Sequence, residues 1–200
     1  MDRRLFWIGV GLLVLIGTAA VLTLAFWQPP SFRGTSYAEP IPPAPEIVLT
    51  KSDGTTFRLS DQREKIVLLF FGYTSCPDVC PTTLAEMKQV MDLLRDDAQQ
   101  VQVVFVSVDP ERDDPERIQS YAKHFHSSFL GLTGTEAELT PIWSGYSIVR
   151  EVVESDSALG NIINHTARLF LVDTQGDLRL SYAYQTPVED IVHDIRLLLE

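Results

Sequence analysis

Residues 66–71 (IVLLFF) and 101–108 (VQVVFVSV) limit what this chain can become more than any other feature. The first is apolar at every position, so both its faces need cover, as in a central strand of a sheet buried on both sides. The second is of the same buried type. Between them Leu84, Met87, Met91 and Leu94 recur at spacings of three, four and three, the period of one helical face. Strand, helix and strand in that order make a βαβ unit, so the two strands are expected to be parallel.

The flanking segments extend the pattern. Residues 46–50 and 55–59 enclose Ser52-Asp53-Gly54, a hairpin signal. Residues 115–125 read as a helix with Ile118, Tyr121, Ala122 and Phe125 inward, and 146–153 as a strand. Residues 169–172 and 178–182 enclose Thr174-Gln175-Gly176-Asp177, a second hairpin. The last helix has Thr186 as its expected N-cap, Pro187 at its first position and Glu189 closing a capping box. Val188, Ile191, Ile195 and Leu198 form its apolar stripe. The fold class is α/β, with a mixed central sheet and helices on both faces.

Ahead of this domain, no charged residue occurs from Leu5 to Trp27, long enough for one transmembrane helix. Arg3 and Arg4 precede it and no basic residue follows until Arg33, which predicts a cytoplasmic N-terminus and a domain on the far side. The run exceeds the apolar core of a signal peptide and no small-x-small site follows, so it reads as an uncleaved anchor. Tyr37 to Glu46 (YAEPIPPAPE) suits an extended spacer. The expected organisation is an anchor at 1–27, a Pro-rich linker at 28–45 and one domain at 46–200. With 27 acidic against 16 basic residues the chain carries a formal charge of −11, which repels phosphate backbones and argues against a nucleic-acid partner.

Both cysteines fall in one motif, Cys76-Pro77-Asp78-Val79-Cys80-Pro81, after the first buried strand and before the first long helix. A bridge closing so short a loop restrains an unfolded chain little, so the pair is better explained by chemistry than by stapling. Pro81 suits the first helical position, which predicts a tight turn from Cys76 to Cys80, although one helical turn would also bring the thiols together; either way they sit beside a helix N-terminus, where the dipole favours thiolate. Asp109 ends the second strand, at the same sheet edge as Cys76. His165 precedes 169–172, and if that strand runs antiparallel to the first two it begins at this edge as well.

Two thiolates and an imidazole suit Cu(I) and are acceptable to Cu(II); zinc takes the same set with water in a fourth position. Each part alone has a commonplace explanation. A lone histidine is usually a surface residue, as His124, His126 and His193 are expected to be, and Asp109–Asp113 (DPERD) reads equally as a polar turn capping the next helix.

The segments FFGYTSCPDVCPTTL (70–84), SVDPERDDPE (107–116), FLGLTGT (129–135) and NHTARLFLVD (164–173) resemble the Sco/SenC family of copper-binding assembly factors for respiratory oxidase. The resemblance covers about residue 46 to 200. It implies a thioredoxin-like fold with copper, as Cu(I) and Cu(II), on Cys76, Cys80 and His165, and a redox disulfide between the two cysteines. It further implies copper delivery to, or thiol reduction at, the dinuclear centre of cytochrome c oxidase subunit II or another copper protein. Asp109 and Asp113 match an acidic pair expected to support the site from behind or to dock a partner. Thr166 stands where the family often has Ser. A metallochaperone rather than an enzyme is expected, held by one helix in a bacterial cytoplasmic membrane with its domain in the periplasm or extracytoplasmic space. The competing reading is a membrane-anchored thiol–disulfide oxidoreductase. Those proteins carry C-x-x-C and a proline before the strand equivalent to 169–172, whereas 161–173 contains no proline here. A peroxidase is a more distant alternative, because Tyr73 rather than Thr precedes Cys76 by three.

Overall fold

A computed structural model describes residues 3–26, 31–154 and 161–200 and divides the chain into two compact units, Met1–Ser31 and Phe32–Glu200. In the first unit Arg3–Phe26 is one helix, α1. Large apolar side chains along it, from Phe6 to Leu22, are exposed. Among the described residues no helix is long and apolar enough to cross a membrane. The side chains of Leu5, Val14 and Leu24, and the whole of Trp27, on which the expected anchor also rests, lie outside the described residues.

The second unit is built on strands β1 (Thr35–Ser36), β4 (Ile66–Gly72), β5 (Val101–Ser107), β6 (Leu130–Leu132), β9 (Arg168–Val172) and β10 (Leu178–Ala183), in the order β1-β10-β9-β4-β5-β6. β4, β5 and β6 are parallel, whereas β9 runs antiparallel to β4 and β10 antiparallel to β9. Every residue of β4 is buried, as its unbroken apolar run requires of a central strand. Two small ribbons complete the strands: β2 (Val48–Thr50) with β3 (Thr56–Arg58), and β7 (Arg150–Val153) with β8 (Ile162–His165). Gly54 turns the first ribbon at φ +80°, a left-handed conformation that glycine adopts freely.

Successive residues of β4 face opposite sides and collect different helices. Phe70 shares a small cavity with Thr83 and Met87 of α2 (Val79–Leu94) and Ile191 of α5 (Val188–Leu199). It also stacks on Phe105, whose ring meets Tyr121 of α3 (Pro115–Phe125). Phe71 instead packs against Tyr146, which closes α4 (Glu136–Gly145). Helices therefore cover both faces.

Several local expectations are corrected. Helix α5 is preceded by Pro187 and has no side-chain cap, because the Thr186 hydroxyl donates to Ala183 O and closes its own turn. The strand expected over 146–153 begins only at Arg150, since Tyr146 ends α4 with its ring in the core. Helix α4 and strand β6 add to the expected elements; Thr135 and Glu138 form a full capping box that the spacing announces, and Pro141 falls inside the helix. From Phe32 onward the segment read as linker is docked on the domain. β1 pairs with β10, Ala44 N donates to Gly176 O and Leu178 N donates to Pro42 O.

Candidate metal centre

The C-terminal ends of β4 and β5 present the loops that carry Cys76 and Asp109, and antiparallel β9 begins at the same edge. Cys76 sits in a turn in which its N–H reaches Tyr73 O at 3.2 Å. Helix α2 begins at Val79, so Cys80 is already helical and Pro81 occupies the third position rather than the first. Proline is tolerated there because the first-turn N–H groups have no partner within the helix. Gly72 makes room for the second thiol: a Cβ on it would lie 2.6 Å from Cys80 Sγ and 2.7 Å from the Phe105 ring.

His165 arrives on the β7–β8 ribbon rather than on the main sheet. Ile163 N donates to the Tyr73 hydroxyl at 3.2 Å, and Arg150 Nε donates to Val108 O at 2.7 Å, tying both ribbon strands to the sheet edge. Thr166 closes the ribbon, its hydroxyl accepting from Val149 N at 3.0 Å, a bond that serine would make equally. The His165 ring lies edge-on to Phe70 and Tyr73. Its Nδ1 is 3.1 Å from Thr166 O. A carbonyl only accepts, so Nδ1 carries a proton, and Nε2 is the ring nitrogen turned toward the thiols.

Nε2 lies 3.9 Å from Cys80 Sγ, and Cys80 N donates to Cys76 Sγ at 3.5 Å. The two cysteines are free thiols with unequal surroundings, Cys76 half-buried and Cys80 buried. A hydrogen bond from the Cys80 thiol holds Cys76 down at about 4, against the opposing effect of burial and with help from His165. That same bond, then burial, then the Cys76 charge push Cys80 far up. The pair therefore holds one proton, on Cys80, and one anionic sulfur, on Cys76. Among the described residues no three His, Cys, Asp or Glu side chains yet stand close enough to hold a metal. The Cys80–His165 gap is nonetheless close to the spacing of two ligands on one ion. At bond lengths of about 2.0–2.3 Å, such ligands stand about 3.5–3.7 Å apart.

The expected acidic pair lies behind this group. Asp113 is buried and accepts from Thr74 N, from the Thr74 hydroxyl at 2.6 Å and from the Ser107 hydroxyl at 2.7 Å. Burial, its dominant influence, pushes its carboxyl above the ordinary value. Arg117 braces the same loop through the Thr74 and Ser75 hydroxyls. Asp109, also buried, pairs with Arg112. Neither carboxylate presents surface on which a partner could dock. The Asp113 contacts order the loop two residues before Cys76, and Thr74, Ser107 and Arg117 are supporting residues that spacing alone did not single out. The other histidines are engaged elsewhere: His126 with Ser128, and His193 with Asp194.

The SCO1/SenC family profile matches residues 39–200. The chain belongs to the SCO1/SenC family. Its fold is accordingly the thioredoxin-like α/β fold of Sco proteins, with a mixed sheet. Apo Sco1 of Thermus thermophilus is 38% identical, with a TM-score of 0.75 over 84% of this chain and 97% of that one. ScoI of Bradyrhizobium japonicum, solved with copper bound, is 32% identical, with a TM-score of 0.70 over 78% and 98%. A SCO2-like protein of Rickettsia conorii is 30% identical over 182 residues, 88% of this chain and 89% of the relative.

The unequal thiols of this Sco-family chain have a direct consequence. In the metal-free reduced protein, Cys76 should be alkylated by iodoacetamide with a midpoint near pH 4, because thiolate forms as pH rises through its lowered pKa. An ordinary cysteine needs pH about 8.5. Cys80 should stay unreactive through neutral pH. Mass spectrometry of the labelled peptides reads both, and equal labelling with midpoints near 8.5 would refute the assignment.

Proposed function

We propose that this Sco protein binds one copper ion through Cys76, Cys80 and His165 and delivers it to, or reduces the thiols of, the dinuclear copper site of cytochrome c oxidase subunit II. The observation that carries the reading is the meeting of Cys80 Sγ and His165 Nε2 at 3.9 Å beside the Cys76 thiolate. Two soft sulfurs and an imidazole suit Cu(I) better than they suit harder cations. Likeness to a ScoI solved with copper bound supports the same metal. Loading would displace the Cys80 proton, and Asp113 with Arg117 would keep the Cys76 loop in place.

The uncharged stretch from Leu5 to Trp27 and the exposed apolar side chains of α1 support a tether in a bacterial cytoplasmic membrane, with the domain on the periplasmic or extracytoplasmic side. Thiol exchange is the second reading, favoured by the pairing of an anionic, half-buried Cys76 with a protonated, buried Cys80. Forming the disulfide would release two electrons and the Cys80 proton, and would remove both sulfur ligands at once.

Titration of the full chain in detergent with Cu(I), against a competing chelator, tests the proposal. The reduced protein should take up one copper per chain. The oxidised protein, left with His165 alone, should bind at least about a hundredfold more weakly, about 2.7 kcal/mol. Tight binding that survives oxidation would show that the cysteines are not ligands.

A further inference from the structure

Tyr73 touches both halves of the donor set. It follows Gly72 at the end of β4 and is 1% exposed. Its carbonyl accepts from Cys76 N at 3.2 Å, which closes the turn that leads to the thiols. Its hydroxyl accepts from Ile163 N at 3.2 Å, two residues before His165 on β8. Its ring centroid lies 6.0 Å from that of His165 at an interplanar angle of 80°, the edge-to-face arrangement that aromatic pairs favour. One residue thus meets the thiols through its backbone and the imidazole through its side chain.

The ring is held in turn. The Arg112 guanidinium lies over its face, 5.6 Å from the centroid, and Arg112 Nε pairs with buried Asp109. A cation over a tyrosine face is attracted by the negative π surface, more so when partly withdrawn from water. The acidic pair therefore divides its work. Asp113 steadies Thr74 in the thiol loop, whereas Asp109 acts through Arg112 on the ring that meets His165. The ribbon needs such support, because in β7 and β8 only Ile163 is buried. An element with so little apolar packing opens at low cost unless polar anchors hold it.

The geometry points to Tyr73 as a positioning residue for the metal centre: its hydroxyl and ring hold His165 Nε2 within 3.9 Å of Cys80 Sγ, and Arg112 with Asp109 holds the ring. Phenylalanine at this position keeps the ring and loses the anchor. Arg150 still ties β7 to Val108 O in that variant, so the ribbon stays folded while His165 is held less closely. The role rests on His165 being a copper ligand, so one readout is taken without metal.

The test compares Tyr73→Phe with the native full chain in detergent micelles. In the metal-free reduced protein, hydrogen exchange at the Ile163 amide should quicken about fivefold, as loss of one neutral hydrogen bond warrants. The nuclear Overhauser contact between the rings of residues 73 and 165 should weaken. Cu(I) affinity, read against a competing chelator, should fall about fivefold in the native background. In a His165→Ala background it should change by less than about 1.5-fold, because two substitutions acting through one contact are not additive. Arg112→Lys keeps the charge opposite Asp109 but not the planar stack, and should weaken Cu(I) about twofold in the native background alone. A residue that merely steadied the fold would weaken copper binding equally in both backgrounds. That result, or unchanged Ile163 exchange, would overturn the proposal. If His165→Ala alone leaves Cu(I) affinity intact, the copper reading fails, and the exchange and ring contact still decide whether Tyr73 places the imidazole.

Discussion

Replacing Cys76 or Cys80 by serine, or His165 by alanine, is expected to lower Cu(I) affinity on the order of a thousandfold, about 4 kcal/mol. Each substitution removes one of three converging donors, and among the described residues no further His or Cys is seen at the site to replace it. His126 bonds Ser128 and His193 pairs with Asp194, so alanine at either position should leave affinity within about twofold. Within the set, the two cysteines are not equivalent. Cys76→Ser removes the resident thiolate, whereas Cys80→Ala would also remove the donor that holds Cys76 acidic, so the Cys76 alkylation midpoint should rise in that variant. Competition with a Cu(I) chelator reads the affinities, and equal losses at His165 and His193 would defeat the assignment.

Asp194→Ala is expected to cost about 3–5 kcal/mol of folding stability. Asp194 is fully buried, and its carboxylate accepts from Arg33 N at 2.9 Å, Gly34 N at 2.8 Å and the Tyr182 hydroxyl at 3.2 Å. Arg33 adds an ion pair to Asp190 at 2.6 Å. Removing the carboxylate strands three donors, each worth about 1–3 kcal/mol when left unpaired in the interior. The total stays below their sum because the 33–36 strap can leave β10 and bond to water. Gly34 offers a steric check: a Cβ there would lie 2.5 Å from the Tyr182 ring, so Gly34→Ala should release the strap as well. Denaturant unfolding of both variants measures the cost. A loss under about 1 kcal/mol for Asp194→Ala would mean that the strap contributes little.

The same strap shows where local reading ends. Arg33 and Asp194 are separated by 161 positions, and nothing in the proline-rich composition of 37–46 announces that the chain ahead of it will pair with the last strand. A buried acceptor of this kind is recognisable only once its donors have been brought to it. Thr186 carries the same lesson at short range. Its position permits a cap, but a nearer carbonyl takes its hydroxyl.

By itself the sequence determined the elements whose pattern is local and strong. The all-apolar run of β4, the stripe of α2 and the buried run of β5 dictate a parallel βαβ unit, because burial on two faces or one stripe repeats at a period visible in the residues. The position of both cysteines at the β4–α2 junction followed from that unit, and the four family-like segments tied them to His165. Only the tertiary structure decided how His165 reaches Cys80 across 85 residues, by a separate ribbon pinned to Tyr73 and Val108 O. It alone decided that Gly72 must lack a side chain for the second thiol to fit, and that Asp109 and Asp113 are enclosed braces rather than surface charges. It also set the two thiols apart. They share one motif, yet the hydrogen bond between them holds Cys76 anionic against the opposing effect of burial, while that bond and burial keep Cys80 protonated, and the burial arises only when distant segments close around them.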